Sequence, residues 1–504
     1  MKRLSAFILA LVIALLPIVA LGASAMEEAD YSHIVDEYSW FSMKGLLNTE
    51  GLEGDAAVEL YNVRLLTTQR LGTIPLSGAA SINLETAVEP MVNGLAVIDE
   101  KKSLPVFPFA GEMELRISYQ AGDENKTIAY PIYFCGKNPT CFNVNSEVTF
   151  NIKKMADGRL DDGNYNTVWD PNGKRLLEFT IPEDVHHAMV QLEWMYAQNE
   201  YKLTCYDKNG ETLEVFNAED DERLFVRNFY LPEDTAKCGL KITSKQRVLK
   251  LGELHVFDMD RLSPQVQQWE PTPEKADIMV ISAHQDDELL FFGATIPDSA
   301  SRGKSIVMLY MANCGRGRYS EALAGLWSVG LRTRPVFLGL EDAAFRSKSA
   351  AMKSWPKYDT VDELVYNIRK YQPEVIVTHD TKGEYGHMQH KLTSEYVQRA
   401  VTLAASSSYV CITDKKLPAW TVKKFYIHLY PKNVMHIQSD VPCEFFGGFT
   451  TQEAAIIAYD KHYTQHGHYT MANQGVQYDN TAFGLVSSTV GEDVEKNDLF
   501  ENLE

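Results

Sequence analysis

Ile278-Met279-Val280-Ile281-Ser282-Ala283-His284-Gln285-Asp286-Asp287-Glu288 joins a short apolar run directly to a histidine and three acids. An unbroken apolar stretch of this length suits a strand covered on both faces, as in a parallel sheet. The polar residues then fall at the strand's carboxyl end, where open α/β sheets collect their ligands. Three acids and a histidine packed into the five positions 284–288 repel one another unless a cation or hydrogen bonds compensate. The same eleven residues therefore predict a fold class and a cation site.

Working outward, Ser305–Tyr310, Pro335–Leu338 and Val375–Thr378 are further short apolar runs. Between them the periodicity is helical: Val361, Leu364, Val365 and Ile368 share one face, and Thr360 with Glu363 reads as a capping box opening that helix. Alternating strands and helices predict a Rossmann-like, doubly wound α/β domain over 275–490. A second polar motif, Gly383-Glu384-Tyr385-Gly386-His387-Met388-Gln389-His390, follows the strand ending at Thr378 and lies beside Asp380. Together the motifs supply nitrogen and oxygen donors of the kind zinc takes: His284, Asp287 and His390 as protein ligands, with a fourth position left for water.

The strand followed by Ala-His-x-Asp-Asp-Glu, with a later Gly-x-Tyr-Gly-His-x-x-His, resembles the PIG-L or LmbE-like family of N-acetylglucosamine de-N-acetylases over about residues 275–395. The resemblance implies a Zn2+-dependent amide hydrolase, other divalent ions being possible, with His284, Asp287 and His390 on the metal. It further implies Asp286 as general base and His387 as the group that stabilises or protonates the tetrahedral intermediate. Arg318, near Glu321, and Tyr385 are candidate substrate contacts, and Asp380 a candidate carboxylate for orienting the loop or a ligand histidine. Two departures stand out: Gln285 and Met388-Gln389 occupy positions where the family usually has Pro and Pro-Asp. A neutral Gln389 removes a carboxylate expected beside His387.

Upstream, the chain reads as two all-β, sandwich-like domains, 27–142 and 143–260, joined to the α/β domain by a proline-bearing linker, 261–274. In the first, Met113, Leu115, Ile117 and Tyr119 alternate with polar residues, Gly122-Asp123-Glu124-Asn125 turns, and Ile128, Tyr130 and Ile132 resume, which predicts a hairpin with Pro131 at a sheet edge. In the second, the stretch from Asp157 to Trp169 resembles the opening of discoidin-like, galactose-binding-fold modules, and Trp194 and Tyr196 are either core or sugar contacts. Residues 491–504 form an acidic end, either a solvated tail or a last packed segment.

Lys2 and Arg3, the apolar run Leu4–Leu21 and Ala23-Ser24-Ala25 read as a signal peptide, 1–25, so the chain is expected to be secreted or at the cell surface of a bacterium. No other segment is apolar enough to span a bilayer. A net charge of −20 repels phosphate backbones and argues against nucleic acid; a neutral glycan fits better, and the resemblance implies an N-acetylated one as partner. The seven cysteines leave at least one thiol unpaired in a monomer; Cys135–Cys141 and Cys205–Cys238 are the local pairings expected in an oxidising compartment. His379, His428, His436 and His462 read as structural, Cys314 as a buried thiol, and His466 and His468 as further candidates for metal or cleft. The alternative to an enzyme is a surface carbohydrate-binding protein whose deacetylase-like domain has lost turnover.

Overall fold

The computed structural model describes residues 34–35, 54–62, 67–75, 111–134, 148–150, 160, 168–169, 176–194, 201–217, 226–243, 251–259, 266–343, 347–446, 450–465, 471 and 475–503. The signal-like start, Cys135, Cys141, Tyr196, His466 and His468 lie outside them. No helix among the described residues is long and apolar enough to cross a membrane.

The expected hairpin forms: Gly111–Ala121 and Glu124–Phe134 pair antiparallel, with Leu115 opposite Tyr130 and Ile117 opposite Ile128. The second strand pairs along its whole length, Pro131 opposite Glu114, and among the described residues its other side is met only by Ile34–Val35, at Tyr133 and Phe134, so Pro131 lies beside an open stretch of that side. These strands join Asp55–Asn62 and Thr67–Pro75 in one five-stranded sheet. Within 27–142 the described residues form this one layer of sheet.

A sandwich does form in the next region. A three-stranded sheet (Val226–Tyr230, Ala188–Trp194, Leu251–Asp258) and a four-stranded sheet (Leu176–Thr180, Lys237–Ile242, Tyr201–Tyr206, Thr212–Asn217) enclose a core that includes Leu177, Phe179, Val190, Leu192, Leu240 and Val256. Trp194 is core, its ring 4.9 Å from Tyr201. Cys205 and Cys238, expected as a disulfide, stand opposite each other on adjacent strands as buried thiols.

The linker is seated rather than free. Val266 is buried against Met189 and Phe257, the Gln267 carbonyl accepts from Gln191 and Asn228, and Trp269 packs edge-on against Trp327 at 5.3 Å. Val226 of the sandwich packs with Tyr319 and Leu323 of the following domain.

The α/β domain, in which strands are counted from its start, carries β1 (Ile278–Ser282), β2 (Ile306–Asn313), β3 (Val336–Glu341), β4 (Val375–Thr378), β5 (Lys424–His428), β6 (Val434–His436) and β7 (Ala482–Ser488). The sheet order is β3-β2-β1-β4-β5-β7-β6, parallel from β3 to β5, with β7 antiparallel to both neighbours. Alternate residues of β1 feed two cores: Ile278 and Val280 on one face, Met279 and Ile281 on the other. Two covered faces are the reason the strand sequence is unbroken apolar. β1 and β4 are neighbours whose chains leave in opposite lateral directions, and that switch point brings the two polar motifs together.

The helices are α1 (Asp287–Leu290), α2 (Thr295–Ser301), α3 (Arg316–Ser328), α4 (Lys348–Ser354), α5 (Lys357–Tyr371), α6 (Met388–Ala404) and α7 (Thr451–Tyr459). The apolar face expected for α5 is buried, but its expected start is corrected. Pro356 is the N-cap, the Thr360 N–H already bonds the Pro356 carbonyl, and Thr360 lies buried one turn inside. The capping box forms instead at Thr450 and Glu453, opening α7.

Residues 491–503 are a packed segment and not a tail. Leu499 and Phe500 enter the core, and buried Asp493 pairs with buried Lys424 of β5 and accepts from the Tyr426 hydroxyl at 2.7 Å. Phe500→Ala is therefore expected to lower stability by about 3–5 kcal/mol, the usual cost of emptying a buried phenylalanine site, read from chemical unfolding. Unchanged unfolding would return this segment to the solvent.

Candidate metal centre

The turn after β1 is built to present side chains. The Ser282 hydroxyl donates to the His284 carbonyl, the His284 N–H donates to Asp287 Oδ2 at 2.8 Å, and Gln285 bridges to the end of β2 by donating to the Ala312 carbonyl and accepting from the Cys314 N–H. Gln285 thus supplies by hydrogen bonding the stiffness a proline would give this turn. Asp286 sits at φ 131°, ψ −30°, a left-handed conformation that costs an L residue about 1–3 kcal/mol and persists only when neighbours enforce it. Its N–H donates to Glu288 Oε2 at 2.9 Å, and Arg318 pairs with its Oδ1 at 2.6 Å while also donating to the Gln285 carbonyl.

The second motif enters from the loop after β4. Gly383 has φ +69°, and a Cβ there would collide with the His387 carbonyl, so this loop requires glycine. His387 is the N-cap of α6, its Nδ1 accepting the Gln389 N–H at 3.2 Å. His390 follows one turn in and points at β1.

Three donor atoms converge: His284 Nδ1 to Asp287 Oδ2 3.1 Å, His284 Nδ1 to His390 Nε2 3.2 Å, and His390 Nε2 to Asp287 Oδ2 3.3 Å. Ligands about 2.0–2.1 Å from a tetrahedral zinc stand about 3.3 Å from one another, so the triangle has the right size. Its protonation also fits. His284 Nε2 faces the Gln389 side-chain carbonyl at 3.1 Å and His390 Nδ1 faces Glu384 Oε2 at 2.7 Å, so each outer nitrogen donates. With both imidazoles neutral, as metal ligation requires, the inner nitrogens would carry lone pairs and, with the carboxylate, make a set of acceptors that a cation satisfies.

Two other groupings offer donors within 4.8 Å of one another: His284, His387 and His390, and Asp287, His379 and His390. His379 is already committed, because its Nε2 accepts the Ala283 N–H at 2.9 Å and its Nδ1 lies 3.2 Å from Glu384 Oε1. The cap bond of His387 uses Nδ1, and its ring is stacked 4.5 Å from that of His390 and edge-on to that of His284 at 4.7 Å.

Sequence reading missed Glu384, which gathers the whole second layer. Its Oε1 receives the Asp380 N–H and faces Nδ1 of His379 and of His428, and its Oε2 holds His390. Asp380, expected to orient the loop or a ligand histidine, has its carboxylate beside the Thr381 hydroxyl; the histidine-orienting carboxylate is Glu384. Glu384 stood in the quoted motif, but as a charged residue in a glycine-flanked turn it gave no sign of pointing inward. Arg318, expected at the substrate, is the ion-pair partner of Asp286. Tyr385 is half-buried at the rim, 5.9 Å from His387 and 5.7 Å from His390 ring to ring. His462, read as structural, is buried with Nε2 3.3 Å from Glu288 Oε1.

Burial pushes the Asp286 carboxyl up to about 7 against the pull of Arg318, with Asp287 adding to the rise. Burial works the same way on Asp287, but His390 and His284 outweigh it and hold that carboxyl well below the usual range. One aspartate is thus poised to exchange a proton near neutrality while its neighbour stays ionised. Burial, reinforced by His390 and His284, drives His387 down to about 3. His387 is a neutral imidazole, and because Nδ1 accepts the cap bond its proton resides on Nε2.

The arrangement defines a doubly wound α/β domain whose switch point holds a buried histidine–carboxylate centre beside an activated aspartate. Residues 279–401 match the PIG-L family, described as GlcNAc-PI de-N-acetylase, and form a PIG-L domain. The 1D-myo-inositol 2-acetamido-2-deoxy-alpha-D-glucopyranoside deacetylase of Geodermatophilus obscurus is 28% identical over 196 residues, covering 32% of this chain and 64% of that protein. The enzyme of the same name from Mycolicibacterium smegmatis is 28% identical over 182 residues, 30% of this chain and 59% of its own. This chain thus spans less than two thirds of either relative. Among solved structures, the N,N'-diacetylchitobiose deacetylase of Pyrococcus horikoshii aligns with 15% identity and a TM-score of 0.29, covering 40% of this chain and 75% of that one.

Proposed function

We propose that this chain is an exported, zinc-dependent de-N-acetylase that hydrolyses the acetamide of an N-acetylated amino sugar. The observation that carries the reading is the triangle of converging ligand atoms from His284, Asp287 and His390, flanked by Asp286. The PIG-L match and the relatives named for deacetylating a 2-acetamido-2-deoxy-glucopyranoside support an acetamido sugar as the substrate class. The basic start and apolar run of the first 25 residues support export.

When bound, a divalent metal supplies Lewis acidity at a carbonyl and lowers the pKa of a water toward 7. His284, Asp287 and His390 hold it. Asp286, raised toward neutrality, takes the proton from the attacking water, and Arg318 keeps its carboxylate aimed despite the strained backbone. His387 donates its Nε2 proton in a hydrogen bond to the oxygen that becomes negative at the acetamide carbon. His387→Ala is accordingly expected to reduce turnover by about 10²–10³ with metal retained; activity within a few-fold of wild type would remove it from this role.

The test of the whole reading is the metal content of the purified chain, with acetate release from a panel of N-acetylated amino sugars and glycans, with and without chelator. Chelator-sensitive acetate release supports the hydrolase. A chain that binds glycan yet releases no acetate with any divalent metal is a carbohydrate-binding protein instead.

A further inference from the structure

The fully buried side chain of Gln389 uses both ends of its amide. Its Oε1 receives the Ala343 N–H at 3.2 Å and faces His284 Nε2 at 3.1 Å, while its Nε2 donates to the Glu341 carbonyl at 3.0 Å. A flipped amide would set NH2 against the Ala343 N–H and a carbonyl against the Glu341 carbonyl, so the orientation is fixed. His284 Nε2 has a second acceptor, Asp342 Oδ1, farther away at 3.6 Å on a side chain that is partly in solvent.

We propose that Gln389 is the positioning residue of His284: its carbonyl keeps the imidazole proton on Nε2, which aims the Nδ1 lone pair at Asp287 and His390. The inference rests on the metal-site reading above. The first turn of α6 then does two things at consecutive positions, since His390 supplies a ligand and Gln389 sets the other histidine. A neutral amide does so without adding charge to a pocket that already contains Asp286, Asp287, Glu288 and Asp342, and it ties His284 to the end of β3. An aspartate, the residue expected here from the family resemblance, has no proton to give the Glu341 carbonyl. This places the effect of Gln389 on the ligand His284, not on His387, whose contact with residue 389 is the backbone N–H.

The experiment is Zn2+ affinity of the full chain, measured by competition with a chromophoric chelator, for wild type, Gln389→Met and Gln389→Glu. Methionine keeps the length and volume but accepts no such bond; losing an outer partner of a metal-bound histidine typically weakens binding about 10–100-fold. Glutamate restores the acceptor but not the donor to the Glu341 carbonyl, and is expected to bind zinc more tightly than methionine, a rescue that a merely space-filling role would not produce. A methionine variant within about threefold of wild type overturns the proposal, as does a folded glutamate variant no better than methionine. If the methionine chain does not fold, the glutamate variant decides: affinity retained supports the role and affinity lost overturns it. A wild-type chain that takes up no zinc sinks the metal reading itself, a separate outcome.

Discussion

Asp286→Asn is expected to lower acetate release by about 10²–10⁴, the usual worth of a positioned general base, while bound metal and unfolding behaviour stay close to wild type. Asparagine suits the site in every respect but one. It tolerates the left-handed backbone better than most L residues, keeps its N–H for Glu288, and leaves an Oδ1 for Arg318. What it lacks is a carboxylate that can accept a proton. The metal ligands are unchanged, so equal metal content in the two proteins separates loss of the base from loss of the centre. Turnover by the metal-loaded variant near that of wild type would falsify Asp286 as the base.

Glu384→Gln is expected to cost about 3–5 kcal/mol of stability, the scale for breaking a buried ionic network by removing one partner, and to weaken metal binding as well. Glu384 is buried and accepts on both oxygens, from the Asp380 N–H and from three histidines that approach with Nδ1. Those histidines hold its carboxyl well below the usual range despite burial. An amide presents an acceptor on one side only. Its NH2 must face either His390 or the cluster of His379, His428 and the Asp380 N–H, leaving donors opposed. Denaturant unfolding of the metal-free proteins measures the first effect, and zinc competition the second. A variant within about 1 kcal/mol of wild type would show the network to be far weaker than a buried pair of this kind.

The chain order of residues was enough for the α/β domain and the centre of its site. β1 and β4 were readable because strands covered on both faces must be apolar throughout; of the candidate ligands, His284 and Asp287 follow β1 directly, whereas His390 stands beyond the loop after β4, in the first turn of α6. The face of α5 was readable from its period, yet its start was not: the sequence Thr360 to Glu363 is a capping pattern wherever it occurs, and only the extra turn at Lys357–Asp359, opened by Pro356, put the threonine inside the helix. Likewise an acidic end looks solvated until Lys424, buried in β5, is seen to need Asp493.

Sequence alone determined which atoms could bind a cation, because residue type fixes the donors and strand ends fix where they emerge. Tertiary structure decided everything that depends on what lies across from a side chain: that Arg318 serves Asp286, that Glu384 holds His390, and that Gln389 faces His284. The physical reason is that charge, tautomer and orientation belong to pairs of groups. These pairs are made between elements tens of positions apart or across a turn whose direction no local pattern specifies.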